Sequence, residues 1–150
     1  MIALLQRVTQ ANVKVNQEVV GEIEQGVLCF LGVEKNDQEQ QACRLVERIL
    51  SYRIFADAED KMNLCVKDIG GGVLLVPQFT LAADTRKGNR PSFSSAAPPI
   101  LGEALFDFSV QHAKRLHHKV ETGVFGADMK IQLLNDGPVT FILTEKAKEV

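Results

Sequence analysis

The chain is poor in the residues that build covalent or metal-linked scaffolds. Its 150 residues include three cysteines, Cys29, Cys43 and Cys65, with no CxxC pair, and three histidines, His112, His117 and His118, confined to one stretch. Those counts and spacings fit neither a disulfide framework nor a zinc site, so the expectation is no metal and no cofactor. No apolar run approaches the ~20 residues that a membrane-spanning helix needs. The opening Met1-Ile2-Ala3-Leu4-Leu5-Gln6-Arg7 lacks the basic-then-apolar order of an export signal, and a soluble, cytoplasmic protein without a membrane partner is expected. Charge of one sign is scarce too. With 17 Lys+Arg against 19 Asp+Glu the formal charge is −2, which excludes tight nucleic-acid binding by bulk charge and leaves only local patches.

What is present is material for one core. A 150-residue chain that is 45% hydrophobic can bury roughly 68–70% of its unfolded surface, so one domain over 1–150 is expected. Val13, Val15 and Val19 alternate, Gly21 and Gly26 interrupt, and Val27-Leu28-Cys29-Phe30-Leu31 resumes as an apolar run, which reads as several strands joined by tight turns. Asp37 with Gln40 resembles a capping box, and Ala42, Leu45, Val46, Ile49 and Leu50 recur on one helical face, predicting a helix over 38–51. Ile54-Phe55 and Leu64–Val66 read as short strands around a polar loop, and Gly70-Gly71-Gly72 as a turn into the strand Val73–Val76.

Ala83 to Pro99 is a long polar segment with Gly88, Pro91 and three serines, the kind of loop that is usually functional or disordered in a compact domain. Pro98-Pro99 suits a helix start, and one apolar face continues to a basic end over His112 to Lys119. Met129, Ile131 and Leu133 alternate with polar residues as in a half-buried strand; Asn135-Asp136-Gly137-Pro138 then reads as a turn into a final strand, Val139 to Leu143. Thr144 to Val150 reads as a frayed or helical tail. Strand-rich ends with two main helices indicate α+β architecture.

Chemistry is harder to find. The triple glycine precedes a strand instead of opening a helix, so it is a turn and not a phosphate cradle. Lys114, Arg115, His117, His118 and Lys119 could grip phosphates but read better as a solvated helix face, while residues 84–90 carry three basic side chains against one acidic. Ser92, Ser94, Ser95, Thr80 and Thr140 offer hydroxyls, but no Ser-His-Asp triad can be assembled from histidines held in one helical stretch. Cys29 and Cys43 sit in apolar patterns and read as core. Pro77-Gln78-Phe79-Thr80-Leu81 ends a buried strand, and the Gly137–Pro138 bond is a candidate cis peptide, as X-Pro bonds in tight turns sometimes are.

Those two motifs, together with Ile2–Val8, Gly32-Val33-Glu34, Tyr52-Arg53-Ile54-Phe55, Arg90-Pro91-Ser92-Phe93 and Gly126-Ala127-Asp128-Met129, resemble the D-aminoacyl-tRNA deacylases over nearly the whole chain. The resemblance implies a homodimer of barrel-like α+β subunits that hydrolyses the ester between a D-amino acid, or glycine, and the terminal adenosine of tRNA. It implies that Gly137 and Pro138 enter the partner subunit's pocket and leave an L side chain no room. The family motif has serine where this chain has Pro77, which removes a hydroxyl and an N–H. The matching Gln78, Phe79 and Thr80 then form the catalytic segment. An aminoacyl ester is already activated and carries a neighbouring 2′-hydroxyl, so oriented water and an oxyanion site suffice: the Phe79 and Thr80 amides would face the carbonyl oxygen.

By the same resemblance Phe125 and Met129 line the adenosine pocket, with core packing as the alternative. Arg7 braces the Gly-Pro loop through its carbonyls, or makes a salt bridge at a strand edge. A non-catalytic RNA- or nucleotide-binding module using segments 84–90 and 114–119 stands as a second functional reading, and a cysteine-dependent hydrolase as a third.

Overall fold

The computed structural model describes residues 1–148. Three strands open the chain, β1 (Ile2–Val15), β2 (Glu18–Ile23) and β3 (Gly26–Gly32), with β1 antiparallel to both others. Asn16 and Gln17, both at positive φ (50° and 68°), make the two-residue turn between β1 and β2, the backbone that matches strand twist in a hairpin. Helix α1 (Glu39–Ser51) crosses over, the short β4 (Phe55–Ala56) and β5 (Met62–Leu64) pair, and a single turn, α2 (Val66–Ile69), leads to β6 (Gly72–Pro77), which lies parallel to β3. A 3-10 turn (Phe79–Ala82) and a long loop precede α3 (Pro99–Leu116), after which β7 (Val120–Thr122) joins β6 in parallel and β8 (Lys130–Thr144) runs antiparallel to β1.

The six-stranded sheet runs in the order β2-β1-β3-β6-β7, with β8 on the other side of β1. It curls until its ends nearly meet: a Cβ on Gly21 of β2 would sit 2.5 Å from the Thr122 carbonyl oxygen of β7. Only a residue without a side chain permits that approach, and the barrel-like closure follows from it.

β3 and β6 are buried on both faces, which is why they read as unbroken apolar runs. Leu5, Val27, Cys29, Leu31, Val73 and Leu75 face α1 and α3, whereas Val8, Val13, Ile23, Leu28, Leu74 and Val76 fill the barrel interior. Helix α1 adds Ala42, Leu45, Val46, Ile49 and Leu50 to the first cluster, the stripe expected from its spacing.

Several expectations need correction. The cap of α1 is Gln38, whose N–H donates to Gln41 Oε1 at 2.8 Å. Asp37 is buried elsewhere: it receives the Met1 ammonium at 2.8 Å and the Glu34 N–H at 2.7 Å. Val66 begins α2 instead of ending a strand, and β7 was not expected at all. Residues 135–138 do not turn the chain; they are a bulged part of one continuous strand, β8. The Asn135 amide donates to the carbonyls of Arg7 (3.1 Å) and Val139 (2.9 Å), replacing ladder bonds where the register slips. Thr144 and Glu145 are also held, by pairing with Ile2 and by the Glu145 N–H donating to Met1 O. The expected tail therefore starts no earlier than Lys146, and Glu149 and Val150 lie outside the described residues.

The basic end of α3 is partly structural. Lys114, Arg115, His118 and Lys119 are exposed, but His117 is buried at the C-cap, its Nε2 2.7 Å from the Gly71 carbonyl oxygen. That oxygen accepts, so the neutral ring carries its proton on Nε2. Burial pushes His117 below the ordinary 6.5; the Gly71 bond opposes the shift, and the charges of His118, Lys67 and Lys119 add to it. The unfolded chain thus takes up this proton first as pH falls, and stability is lost from about pH 6.5 downward. Unfolding measured between pH 7.5 and 5 should show this loss, and His117→Gln should flatten it.

Candidate active site

A cavity of about 620 Å³ opens where β3 and β6 end. Its floor is apolar, built from Leu31, Val33, Phe106, Phe125 and Met129; the first turn of α3 supplies Pro99 and Gly102, and the segment Phe93 to Pro98 closes one wall. Backbone bonds fix that wall, from Lys35 N–H to Ser95 O (3.1 Å) and from Ala97 N–H to Val33 O (2.9 Å). The size suits one small organic ligand.

The polar edge is the segment after β6. Gln78 N–H donates to Leu31 O at 2.8 Å, pinning the strand end, and the chain then turns sharply into the 3-10 helix. In such a turn the first inward bond comes from Leu81, to Gln78 O, so the N–H groups of Phe79 and Thr80 have no acceptor inside it. The Thr80 hydroxyl donates to Gln78 Oε1 at 2.7 Å. An amide oxygen is not a base, and among the described residues no titratable group hydrogen-bonds this hydroxyl, which leaves it without the activation a nucleophilic threonine requires.

Gln78, Phe79, Phe125 and Met129 all line the cavity, joined by Pro77, while Thr80 stands exposed at its edge. Phe125 and Met129 reach it from the loop before β8 and not from a strand. Met129 Sδ accepts from the Val124 N–H at 3.4 Å, which holds that loop closed. Arg7, Gly137 and Pro138 are not among the lining residues. They meet at the bulge of β8, where Gly137 and Pro138 are exposed and the peptide bond between them is cis. Arg7 braces this bulge from within the same chain: Nε donates to Asp136 O (3.0 Å) and Nη1 to Ile54 O (2.8 Å), with Asp136 Oδ2 3.7 Å away. Within one chain, Arg7 thus bonds a carbonyl of this bulge and also lies beside a carboxylate.

Sequence reasoning gave no role to Phe93. Its ring pairs with Phe79 at 5.1 Å between centroids, and both are exposed at the cavity mouth, at 43% and 59%. The available signal was a large aromatic residue in an otherwise polar, serine- and proline-rich loop.

The cysteine reading finds little support. Cys29 is buried and burial pushes its thiol up, away from the reactive thiolate. Cys43, expected in the core, is only half-buried on α1 because it lies at the margin of the apolar stripe. Among the described residues no three His, Cys, Asp or Glu side chains converge to hold a metal ion, and no helix is long and apolar enough to cross a membrane.

Comparison with known proteins gives a consistent set. The model of the family described as D-Tyr-tRNA(Tyr) deacylase matches residues 4–144. A Cellvibrio japonicus protein named D-aminoacyl-tRNA deacylase is 54% identical over 143 residues, covering 95% of this chain and 98% of that one. Proteins of the same name from Pseudomonas putida and Escherichia coli O1:K1 are each 59% identical, with 95% of this chain and 99% of theirs covered. Among solved structures, one titled c-Myc DNA Unwinding Element Binding Protein superposes with a TM-score of 0.94 at 34% identity, covering 98% of this chain and 100% of that one. Another, a probable eukaryotic D-amino acid tRNA deacylase, shares the fold at a TM-score of 0.84 and 17% identity, covering 95% of this chain and 97% of that one.

Proposed function

The chain belongs to the D-Tyr-tRNA(Tyr) deacylase family, and from that premise we infer that it hydrolyses the ester of D-aminoacyl-tRNA by positioning water and an oxyanion, without a protein nucleophile. The carrying observation is the contrast within the cavity: an apolar floor, and one polar edge at 78–80 where two backbone N–H groups have no partner in their own turn. The terminal adenosine occupies the floor between Phe125 and Met129. The ester carbonyl then faces the Phe79 and Thr80 amides, fixed donors that strengthen as charge develops on the oxygen. Water adds to the carbonyl carbon, the bond to the ribose oxygen breaks, and that oxygen takes a proton relayed through the neighbouring 2′-hydroxyl. Free amino acid and tRNA leave.

Selection for the D-enantiomer rests on a second copy of the chain. Gly137 and Pro138 lie outside their own cavity, exposed on a bulge held by Arg7 and Asn135; such a rigid backbone wedge is built to be presented outward. Entering the partner's cavity, it leaves space for a hydrogen atom on one side of the α-carbon and none for an L side chain. Glycine has no side chain to exclude and is accepted as well.

The test is hydrolysis of matched D-Tyr-tRNA and L-Tyr-tRNA in chelator-treated buffer. Rapid loss of only the D-ester is expected; loss of neither, with tRNA still bound, would replace this reading by that of a binding module. Thr80→Ala separates the mechanisms. It removes the hydroxyl and keeps both amides, so the rate should stay within about tenfold of the wild type, whereas loss of a covalent nucleophile costs several orders of magnitude.

A further inference from the structure

The cavity mouth carries side-chain groups for which the ester-cleaving step, served by backbone amides, has no use. Phe79 and Phe93 present a paired aromatic surface to solvent. Between them in sequence, the loop is cinched where Asp84 and Ser92 exchange two backbone bonds of 2.7 and 3.0 Å. Residues 85–91 therefore project as a tip beside the mouth, with Gly88 at φ +67° and no atoms within 4 Å of where its Cβ would be.

That tip holds three cations of unequal availability. Arg86 donates to both carboxylate oxygens of Asp84 (2.9 and 2.8 Å), which holds that carboxyl down at about 2; its charge is matched in place. Lys87 and Arg90 are exposed, and among the described residues neither has a carboxylate oxygen within 4.0 Å. Exposed aromatic faces interleaved with unmatched cations are the recurring means of holding single-stranded nucleic acid: bases stack on the rings while phosphates track the positive charge.

Building on the proposed function, we infer that Phe93, backed by Phe79, together with Lys87 and Arg90, binds the single-stranded nucleotides immediately preceding the terminal adenosine. The penultimate base stacks on Phe93 and its neighbouring phosphates meet Lys87 and Arg90. The second basic cluster, Lys67, Lys114, Arg115 and His118, is placed less favourably for the same strand. It lies at the far end of α3, whose 18 residues span ~27 Å at 1.5 Å each. The exposed carboxylates of Glu103 and Asp107 stand on the helix in between. The 85–91 tip, by contrast, is joined directly to the mouth, since Ser92 at its base adjoins the cavity-lining Phe93.

Three substrates test this: D-Tyr-tRNA, the same tRNA lacking its penultimate base, and D-tyrosyl-adenosine. For the variant Lys87→Ala/Arg90→Ala, KM for D-Tyr-tRNA should rise about tenfold, and the salt slope for binding uncharged tRNA should fall by about 1.4, at ~0.7 per single-strand phosphate. Its rate on D-tyrosyl-adenosine should stay within about twofold. Phe93→Leu keeps apolar bulk but removes the stacking face, so KM for D-Tyr-tRNA should again rise roughly tenfold, a typical cost of removing a ring from under a base. Deleting the penultimate base should harm the wild type by a similar factor and this variant hardly at all, a coupling that a merely structural Phe93 does not produce.

Equal losses on tRNA and on D-tyrosyl-adenosine, or an unchanged salt slope, would overturn the inference. So would conversion of a dimer to monomers by Phe93→Leu, which would mark this face as one covered by a second copy. Should the wild type leave D-Tyr-tRNA intact, the deacylase reading falls instead, and binding of uncharged tRNA by the same variants still decides whether the platform exists.

Discussion

Gly137→Ala should lower the ratio of D-Tyr-tRNA to L-Tyr-tRNA hydrolysis by at least about tenfold. At φ +133° an alanine methyl would lie 2.7 Å from Val139 Cγ2 and 2.9 Å from Arg7 Nη2. The backbone penalty alone is about 1–3 kcal/mol, which corresponds to roughly 5- to 150-fold when it falls on one step. The Arg7 end cannot swing away freely, because Nε and Nη1 are bonded to the carbonyls of Asp136 and Ile54. The bulge must shift by several tenths of an ångström, and a selection that depends on close contact with an α-carbon cannot survive that. The ratio is the proper readout, since displacement also slows the D-ester. Arg7→Gln releases the Asp136 carbonyl without adding a methyl and should move the ratio the same way by less. An unchanged ratio in folded, dimeric Gly137→Ala would remove Gly137 from chiral selection.

Asp37→Ala should cost roughly 3–5 kcal/mol, as breaking one side of a buried ion pair does, and lower the melting temperature by on the order of 10 °C. The Met1 ammonium and the Asp37 carboxylate have side-chain exposures of 1% each. Removing the carboxylate leaves a buried positive charge and also frees the Glu34 N–H. The turn it stabilises carries Val33, whose carbonyl receives the Ala97 N–H of the cavity wall, so catalysis should suffer as well. Asp37→Asn, which can still accept from Glu34, should recover part of the wall but little of the stability. Thermal unfolding monitored by circular dichroism would show whether the pair matters on this scale.

These two sites also show what could be read from residues alone. Local patterns gave α1, the apolar β3 and β6 and the Pro98-Pro99 start of α3, because each is encoded within a few turns or alternations. β7 escaped because three residues on a parallel edge carry no periodicity. The Asn-Asp-Gly-Pro sequence has turn chemistry, yet Asn135 directs its amide to Arg7 and Val139, and the partner strand β1 keeps β8 extended on either side. Asp37 looked like a cap because capping residues and ion-pair residues are the same residues; its partner is 36 positions away. The cavity is likewise assembled from four separated stretches. Resemblance named Gln78, Phe79, Phe125 and Met129, but nothing local indicated that Phe93 would face Phe79 across the mouth.

The pairing of β1 with β8 also governs how the molecule is made. Ile2 to Lys14 align with Thr144 to Lys130, so the first strand synthesised waits for nearly the whole chain before its longest ladder can form. Contacts so distant in sequence slow folding, since the loop must close before any of them contributes. During translation β1, β2 and β3 can pair early, but the edge of β1 that β8 will cover stays open, and open strand edges invite association with other chains. Fragments ending before residue 130 should therefore be aggregation-prone, and the native ladder of β1 can form only once β8 has been made.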